Sequence, residues 1–475
     1  MPPPLATGRP CRHVALAWLL LLVSGSAAAA LPAALAGALR DAAVPAGHAA
    51  FFVQRVDAGK PLLAHNASTP MNPASTMKLV TTYAALELLG PAYTWKTEVL
   101  TDAPPGDGRE GRDGRLAGNL YLRGSGDPGL DLERFSQLLR QLRMRGVGDI
   151  DGDLVLDRSA FRLPPHDPAA FDQQPLRAYN TGPNALLIDH QSLRIALLPD
   201  PAGRRVRVVA ENPADGVLVD GRVALDDAAC NSWRERLQIG IDGNTVSIAG
   251  NYSSQCGEKT LHLAPWPADR QVEQLFRALW REMGGRFGGR VREGEVAAGA
   301  RLLLTHESPP LAELLRGVNK WSNNVAARQI FLSLAATRPA TPEAARASVG
   351  QWLAAKGVAG SVLDNGSGLS KSERLSAEGL GQLLLAAWES PVMPELVASL
   401  PIAGSDGTLK KRLQDSAASG RAHLKTGYLD GVRSIAGFVL DRQGRRWVVV
   451  GFINDPRMKN GSAPLDALVR WVAER

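Results

Sequence analysis

The sequence lacks the signatures of two common kinds of hydrolase. No Gly-x-Ser-x-Gly segment occurs in its 475 residues, which argues against the nucleophile elbow of an α/β-hydrolase. No group of His, Cys and Glu has zinc-site spacing, and the acidic stretch 149–157 lacks the terminal Glu of a calcium loop. We therefore expect neither a metal nor a cofactor.

The sequence also lacks a basic run interleaved with aromatic residues, which make up only 5% of the chain. Lys and Arg number 54 against 47 Asp and Glu, giving a net charge of +7, but the arginines are scattered. This distribution argues against nucleic-acid binding. A mildly basic surface is compatible with an anionic polymer such as a cell wall.

The sequence has no long apolar run, and even the apolar segment near the N-terminus is short. Residues 1–30 are predicted to be a signal peptide, because basic residues precede the apolar core 14–23 and small residues follow it. This core is too short for a comfortable membrane span. We expect an exported protein without an integral membrane span, and a weak association with a membrane stays open.

Cysteine is scarce, with three residues in the whole chain. Cys11 precedes the apolar core and would leave with the signal peptide. Cys230 and Cys256 then remain, and a single pair in an exported protein favours a disulfide. Two buried thiols are the alternative.

The stretch 72–90 contains the most informative local pattern. Good helix formers run from Ser75 to Gly90, and Pro91 follows, which predicts a helix that starts at or next to Ser75 and stops at Gly90. Ser75 and Lys78 would share one face of it. Burial in this apolar helix would lower the pKa of Lys78 and make it a proton acceptor for the serine. The alternative is a helix-capping serine followed by a solvent-facing lysine.

The pattern of apolar and polar residues changes after this helix. Alternating apolar and polar residues dominate 185–250, which indicates a β-rich region, while helical patterns return beyond 301. The organisation predicts an inserted accessory region over 95–300, with two subdomains, between two parts of one α/β domain, 31–94 and 301–475.

Three short motifs occur in a known order. They are Ser75-Thr-Met-Lys78, Ser322-Asn-Asn324 and Lys425-Thr-Gly427. Together they resemble the Ser-x-x-Lys, Ser-x-Asn and Lys-Thr-Gly signature of penicillin-binding proteins and serine β-lactamases. The long insertion after the first motif is similar to that of class C low-molecular-weight penicillin-binding proteins, the D-alanyl-D-alanine carboxypeptidase/endopeptidase family of S13-type serine peptidases. Asn323 departs from the family, where an Asp is frequent.

The resemblance implies a fold and a partner class. The fold is a penicillin-binding/β-lactamase-like transpeptidase domain of the α/β class, an antiparallel sheet flanked by helices, with the β-rich insertion forming one or two extra domains. The implied partners are peptidoglycan peptides and β-lactam antibiotics, and the implied compartment is the periplasm.

The resemblance also implies a role for each motif residue. Ser75 is the expected nucleophile and Lys78 its general base, with Ser322 and Lys425 serving the leaving group. The expected substrate-binding residues are Asn324, Thr426, Gly427 and Tyr428, of which Tyr428 would supply its backbone N–H to an oxyanion hole together with that of Ser75. Asp172 is a further candidate, because the family carries an insert acid that recognises the free amine of diaminopimelate. His423 is interpreted as an ordinary strand residue.

Ordinary structural explanations remain for the two later motifs. Ser322 and Asn324 could cap the following helix, and Lys425-Thr-Gly427 could begin a common strand. Two other functions also stay open. A β-lactamase shares the acylation chemistry but needs a further water-activating base, and a non-catalytic wall-binding scaffold would have little reason to keep Ser75 and both lysines.

Overall fold

The computed structural model describes Met1 and residues 31–104, 114–458 and 462–475, so the predicted signal peptide lies outside the described residues beyond Met1. The strands are β1 Ala49–Arg55, β2 Leu63–His65, β3 Pro70–Met71, β4 Lys96–Thr101, β5 Gly114–Leu116, β6 Leu120–Gly124, β7 Val147–Ile150, β8 Leu154–Asp157, β9 Leu193–Asp200, β10 Arg205–Ala210, β11 Leu218–Asp226, β12 Leu237–Asp242, β13 Thr245–Ser253, β14 Lys259–Leu263, β15 Arg286–Phe287, β16 Val291–Glu293, β17 Arg301–Glu307, β18 Leu375–Ser376, β19 Ala422–Leu429, β20 Val432–Leu440 and β21 Arg446–Asn454. The helices are α1 Ala33–Asp41, α2 Met77–Leu88, α3 Leu132–Met144, α4 Ala268–Glu282, α5 Leu311–Lys320, α6 Asn324–Ser333, α7 Pro342–Ala355, α8 Ala377–Glu389, α9 Met393–Ser399 and α10 Ala463–Ala473.

An antiparallel sheet with the strand order β19-β20-β21-β1-β2, here called the central sheet, joins the two ends of the chain. Apolar side chains project from both faces of this sheet. Phe51 and Ile435 pack with α1 and α10 on one face, whereas Phe52 and Phe438 pack with α8 on the other. Helices therefore flank the sheet on both sides, which confirms the predicted α/β class.

Helix α2 lies among the other helices of this layer and packs against α5, α6 and α7. Its first ten residues are all buried, so the predicted burial is confirmed. The predicted boundaries are slightly wrong, because Ser75 lies in a separate 3₁₀ turn, Ala74–Thr76, and α2 ends at Leu88. The side chain of Asn72 accepts a hydrogen bond from the N–H of Ala74 (2.9 Å), and this local bond shapes the turn before the helix begins.

Residues between α2 and α5 form three further sheets. β4 and β17 pair antiparallel within a sheet of order β16-β8-β6-β4-β17, so the chain enters and leaves this part through neighbouring strands. Two more sheets complete this part of the chain. One is a small sheet of order β15-β7-β5, and the other is a larger sheet of order β12-β13-β11-β10-β9-β14, here called the outer sheet. The division at 95 and 300 stays a prediction, and the pairing of β17 with β4 places 301–307 in the same sheet as 96–101.

The disulfide joins two connecting segments of the outer sheet, the loop between β11 and β12 and the turn after β13. Cys230 and Cys256 are bonded across a sequence separation of 26, which confirms the prediction and excludes the alternative of two free thiols. Among the described residues, no helix is long and apolar enough to cross a membrane.

Candidate active site

The first motif places a lysine against a serine. Nζ of Lys78 lies 3.2 Å from Oγ of Ser75 and donates to Oδ1 of Asn324 at 2.6 Å. It also donates to the carbonyl oxygen of Ser367. Lys78 is fully buried, so the alternative of a solvent-facing lysine is wrong.

Burial sets the electrostatics of this lysine. Desolvation is the main cause that lowers the pKa of Lys78 well below its usual value, and the nearby charge of Lys425 lowers it further. The carboxylate of Glu373 acts in the opposite direction. A neutral amine beside a serine hydroxyl can accept its proton.

The second motif lies in the turn between α5 and α6. Lys425 donates from Nζ to Oγ of Ser322 at 3.0 Å and to the carbonyl oxygen of Thr426 at 2.8 Å. Burial lowers the pKa of Lys425 to about 7. The cap of α6 is Asn323, which accepts from the N–H of Ala326, so the idea that Ser322 and Asn324 cap this helix is wrong.

Ser322 has a backbone conformation that few non-glycine residues adopt, with φ of 58°. Ala74, the residue before the nucleophile candidate, has φ of 45°. Such left-handed conformations persist where the surrounding structure holds them, and they often occur at functional sites. Both candidate hydroxyls therefore lie on or beside left-handed backbone.

The third motif forms part of β19, at the edge of the central sheet. A Cβ on Gly427 would lie 2.1 Å from Oγ of Ser434 and 2.8 Å from the backbone N of Ser75, so only glycine allows this close approach. Oγ1 of Thr426 lies 2.7 Å from that of Thr408. Tyr428 is 65% exposed, and the guanidinium of Arg433 lies over its ring.

Two residues without an assigned role in the sequence analysis act on Lys78, Ser367 by a hydrogen bond and Glu373 by its charge. Ser367, whose carbonyl oxygen faces Lys78, belongs to a tight turn in which Gly368 has φ of +77°. Glu373 is fully buried and accepts from the N–H groups of Asn365 (3.2 Å) and Gly366 (2.9 Å). Nothing in the spacing of the segment 364–370 indicated a contact with Lys78.

Glu373 is unusual because its second oxygen, Oε2, is buried without a hydrogen-bond partner among the described residues. Burial is the main cause that raises its pKa to about 7. A charge on this carboxyl is therefore costly, and its ionisation is coupled to that of Lys78 by proximity.

The motif residues line one cleft of about 1100 Å³. It contains Ser75, Ser322, Asn324, Thr426 and Tyr428 together with Asn72, Phe171, Asp172, Gln173, Tyr179, Arg234, Trp321, Leu369, Lys371, Thr408, Leu429, Asp430 and Val432. Lys78 and Lys425 lie beneath this surface, where Lys78 is hydrogen-bonded to Ser75 and Lys425 to Ser322.

Asp172 reaches the same cleft from the irregular segment between β8 and β9. Its carboxylate accepts from Oη of Tyr179 at 2.7 Å and from Nδ2 of Asn180 at 2.8 Å. His423 is a residue of β19, as interpreted from the sequence, and does not line the cleft. Arg234 and Trp321, which the sequence analysis did not select, do line it.

Comparison with known proteins gives a consistent result. Residues 31–475 match the D-Ala-D-Ala carboxypeptidase 3 (S13) family. A D-alanyl-D-alanine carboxypeptidase DacB of Haemophilus influenzae is 28% identical, covering 87% of this chain and 88% of the relative. A D-alanyl-D-alanine carboxypeptidase of Actinomadura sp. is 29% identical over 92% of this chain and 83% of its own length.

Solved structures of similar proteins lead to the same family of carboxypeptidases. Penicillin-binding protein 4 (dacB) of Haemophilus influenzae superposes with a TM-score of 0.74 at 27% identity, covering 92% of this chain and 97% of the other. The same protein complexed with a novel β-lactam gives a TM-score of 0.69 at 28% identity, covering 89% and 94%.

Proposed function

The chain belongs to the D-Ala-D-Ala carboxypeptidase 3 (S13) family, and we propose that Ser75 is the nucleophile through which it acts as a serine DD-peptidase on peptidoglycan stem peptides. The observation that carries this assignment is the 3.2 Å contact between Oγ of Ser75 and the buried amine of Lys78. Desolvation favours the neutral form of this amine, which can then accept the proton of the Ser75 hydroxyl.

Acylation begins when the neutral amine of Lys78 accepts the proton of the Ser75 hydroxyl. Oγ then forms a bond to the carbonyl carbon before the terminal D-Ala, and the backbone N–H groups of Ser75 and Tyr428 stabilise the oxyanion. The peptide C–N bond breaks as the Ser322 hydroxyl gives its proton to the leaving amine. Ser322 regains a proton from Lys425, with which it shares a 3.0 Å hydrogen bond.

Deacylation reverses these proton movements. A water molecule attacks the ester carbonyl and gives a proton to the neutral amine of Lys425, while the ammonium of Lys78 returns a proton to Oγ of Ser75. The pKa of about 7 for Lys425 suits a group that gives a proton in one half of the cycle and takes one in the other. A β-lactam enters the same acylation step through its strained amide.

The substrate's terminal carboxylate lies against Thr426 and the cation of Lys425 in this proposal. Gly427 lets the peptide approach β19, and Asn324 both accepts from Lys78 and faces the cleft, where its amide can hold a substrate amide. Asp172 meets a free amine on the acyl side, in keeping with the insert acid of the family. Peptidoglycan peptides and β-lactams are thus the proposed ligands, and the proposed location is the periplasm after removal of residues 1–30.

The test is acylation by a labelled penicillin. We expect the wild-type protein to form a stable adduct, and Ser75→Ala to slow labelling by at least about a thousandfold. Ser247→Ala, in β13 of the outer sheet, is the matched control and should label like the wild type. Equal labelling of Ser75→Ala and the wild type would refute the assignment.

The rate of adduct release separates the peptidase from a β-lactamase. Release over hours supports the peptidase, and release within seconds would support the lactamase. Incubation with a pentapeptide and with a cross-linked dimer then distinguishes carboxypeptidase from endopeptidase activity by the products. Sequencing the N-terminus of the protein recovered from the periplasmic fraction tests the proposed export.

A further inference from the structure

Segment 181–190 lies between β8 and β9 and is bonded to one side of helix α6. Nη1 of Arg328 donates a hydrogen bond to the carbonyl oxygen of Thr181 at 2.9 Å. Nε2 of Gln329 donates to the carbonyl oxygen of Asn184 at 2.7 Å, and its Oε1 accepts from the N–H of Asn184 at 2.8 Å. Arg328 and Gln329 are both buried, so these bonds are largely shielded from water.

His190, at the end of this segment, meets the residue that caps α6. Nε2 of His190 lies 3.3 Å from Nδ2 of Asn323 and 3.2 Å from the carbonyl oxygen of Pro128. Oδ1 of Asn323 accepts from the N–H of Ala326, so Nδ2 is the amide atom that faces His190. A neutral imidazole can accept a hydrogen bond from this amide. Burial is the main cause that lowers the pKa of His190, which favours the neutral ring.

The backbone around His190 has an unusual conformation. Asp189, His190 and Gln191 have φ of 47°, 50° and 52°, and three consecutive left-handed residues without a glycine are costly. The N–H of Asp189 donates to the carbonyl oxygen of Leu130 at 2.8 Å, and Nε2 of Gln191 donates to that of Trp266 at 2.7 Å. These bonds hold the turn on both sides of His190, so the imidazole reaches Asn323 from a fixed support.

Asn323 is the middle residue of the second motif, between two residues that face the reacting groups. Asn324 belongs to α6 and accepts from Lys78 at 2.6 Å, so the helix and the lysine both restrain it. Ser322 precedes the helix, has φ of 58° and accepts from Lys425 at 3.0 Å. The position of Ser322 therefore depends more strongly on the residue that follows it.

We propose that His190 is a positioning residue, which acts through Asn323 to hold the turn that presents Ser322 to the leaving amine. The inference rests on the proposed function, in which Ser322 gives a proton to that amine. The described residues that line the cleft do not include His190, so it acts without touching the substrate. Its loss should impair the protonation of the leaving group more than the attack by Ser75.

The leaving group of the substrate provides the test. An amide nitrogen needs a proton as its C–N bond breaks, whereas a thiolate can leave without one because it is a stable anion near neutral pH. The two substrates are a D-Ala-D-Ala peptide and its thioester analogue, in which sulfur replaces the amide nitrogen of the terminal residue. The quantity measured is kcat/KM, which reports the acylation step.

His190→Asn and His190→Gln form a matched pair of amides that differ in length. Asparagine tolerates left-handed backbone but is too short to place a group at the position of Nε2. We expect it to lower kcat/KM for the peptide at least about tenfold and for the thioester less than about threefold. Glutamine reaches that position with an acceptor for Asn323 and a donor for Pro128, so it should restore most of the peptide activity.

His262→Ala is the control, because His262 is an exposed residue of β14 that lies 3.5 Å from Oγ of Ser192 and is not among the described residues of the cleft. It should behave as the wild type on both substrates. The inference is overturned if His190→Asn leaves the peptide rate unchanged, if both substrates lose equally, or if His190→Gln is as impaired as His190→Asn. An effect of the same size in His262→Ala would also overturn it.

Ser322→Ala separates failure of this inference from failure of the proposed function. If Ser322 protonates the leaving amine, its removal should slow the peptide far more than the thioester. Equal losses in Ser322→Ala would overturn the role proposed for Ser322 itself. A selective loss in Ser322→Ala without one in His190→Asn would overturn only the role of His190.

Discussion

The central sheet and the outer sheet bury their strands in different ways. In β20 and β21 nearly every residue is buried, because helices cover both faces of the central sheet. In β12 of the outer sheet buried or half-buried residues alternate with exposed ones, since only one face packs on a core. The sheet that carries Lys425 and Gly427 is therefore covered on both faces, whereas the sheet next to the Arg234 loop is covered on one.

This difference has a functional consequence. Lys425 and Gly427 are both buried although they belong to the edge strand β19, so neither can shift without disturbing its packing next to Ser75. The outer sheet should tolerate variation on its exposed face, and among the described residues it reaches the cleft through Arg234 of the loop 227–236. Catalysis should therefore be sensitive to small changes in the first sheet and tolerant of them in the second.

The largest expected effect comes from Gly427→Ala. The added Cβ would lie within 2.8 Å of the backbone N of Ser75, so either β19 or the nucleophile must move. We expect penicillin acylation to slow by at least about a hundredfold, since displacements near 1 Å have that cost. The measurement is the acylation rate constant.

Gly350→Ala is the control for that change. Gly350 lies inside α7, and a Cβ there meets nothing within 4 Å. Alanine should leave acylation unchanged and stabilise the helix by about 0.5–1 kcal/mol. Comparable acylation rates in the two variants would contradict the close-approach argument.

A matched pair of isoleucines tests the burial comparison. Ile435 in β20 is fully buried, while Ile239 in β12 is partly buried. Ile435→Ala should lower the free energy of unfolding by about 2–5 kcal/mol through transfer and cavity terms. Ile239→Ala should lower it by about 1 kcal/mol or less. Urea titration measures both, and similar losses would mean that the outer sheet is more enclosed than its strand pattern indicates.

The smallest expected effect is a shift in pH dependence on Glu373→Gln. The carboxylate of Glu373 raises the pKa of Lys78, so its removal should lower that pKa. Lys78 would then become neutral at lower pH, and the acidic limb of kcat/KM should move down. The shift should be less than about one pH unit, because the pKa of Glu373 is raised to about 7 and its carboxyl is already partly neutral there. Glutamine keeps an oxygen for the N–H groups of Asn365 and Gly366, so the fold should survive.

Glu373→Ala distinguishes the effect of the Glu373 charge from the effect of the hydrogen bonds that its carboxyl accepts. It removes the same charge together with the acceptor of both N–H groups, so it should reduce kcat as well as shift the pH profile. An unchanged acidic limb in Glu373→Gln would show that this carboxyl does not tune Lys78.

Local regularities made much of the site predictable. A spacing of three residues brings Ser75 and Lys78 together where the chain is helical, and the order of the three motifs indicated the family and its α/β fold. The partners of the disulfide were also predictable, because Cys230 and Cys256 are the two cysteines that follow the predicted signal peptide.

Tertiary structure alone decided which distant groups meet. Asn324 and Ser367 lie 246 and 289 residues from Lys78 along the chain, yet both accept hydrogen bonds from its amine. The contacts around the Lys78 amine and the approach of Arg234 to the cleft do not follow from the hydrophobic periodicity of the sequence. Each depends on how separate layers of the structure pack together. Sequence by itself therefore indicated the proposed pair of Ser75 and Lys78, the motifs and the fold class. Packing determined which groups surround Lys78, the proximity of Glu373 and the reach of the outer sheet into the cleft, because these depend on contacts between distant parts of the chain.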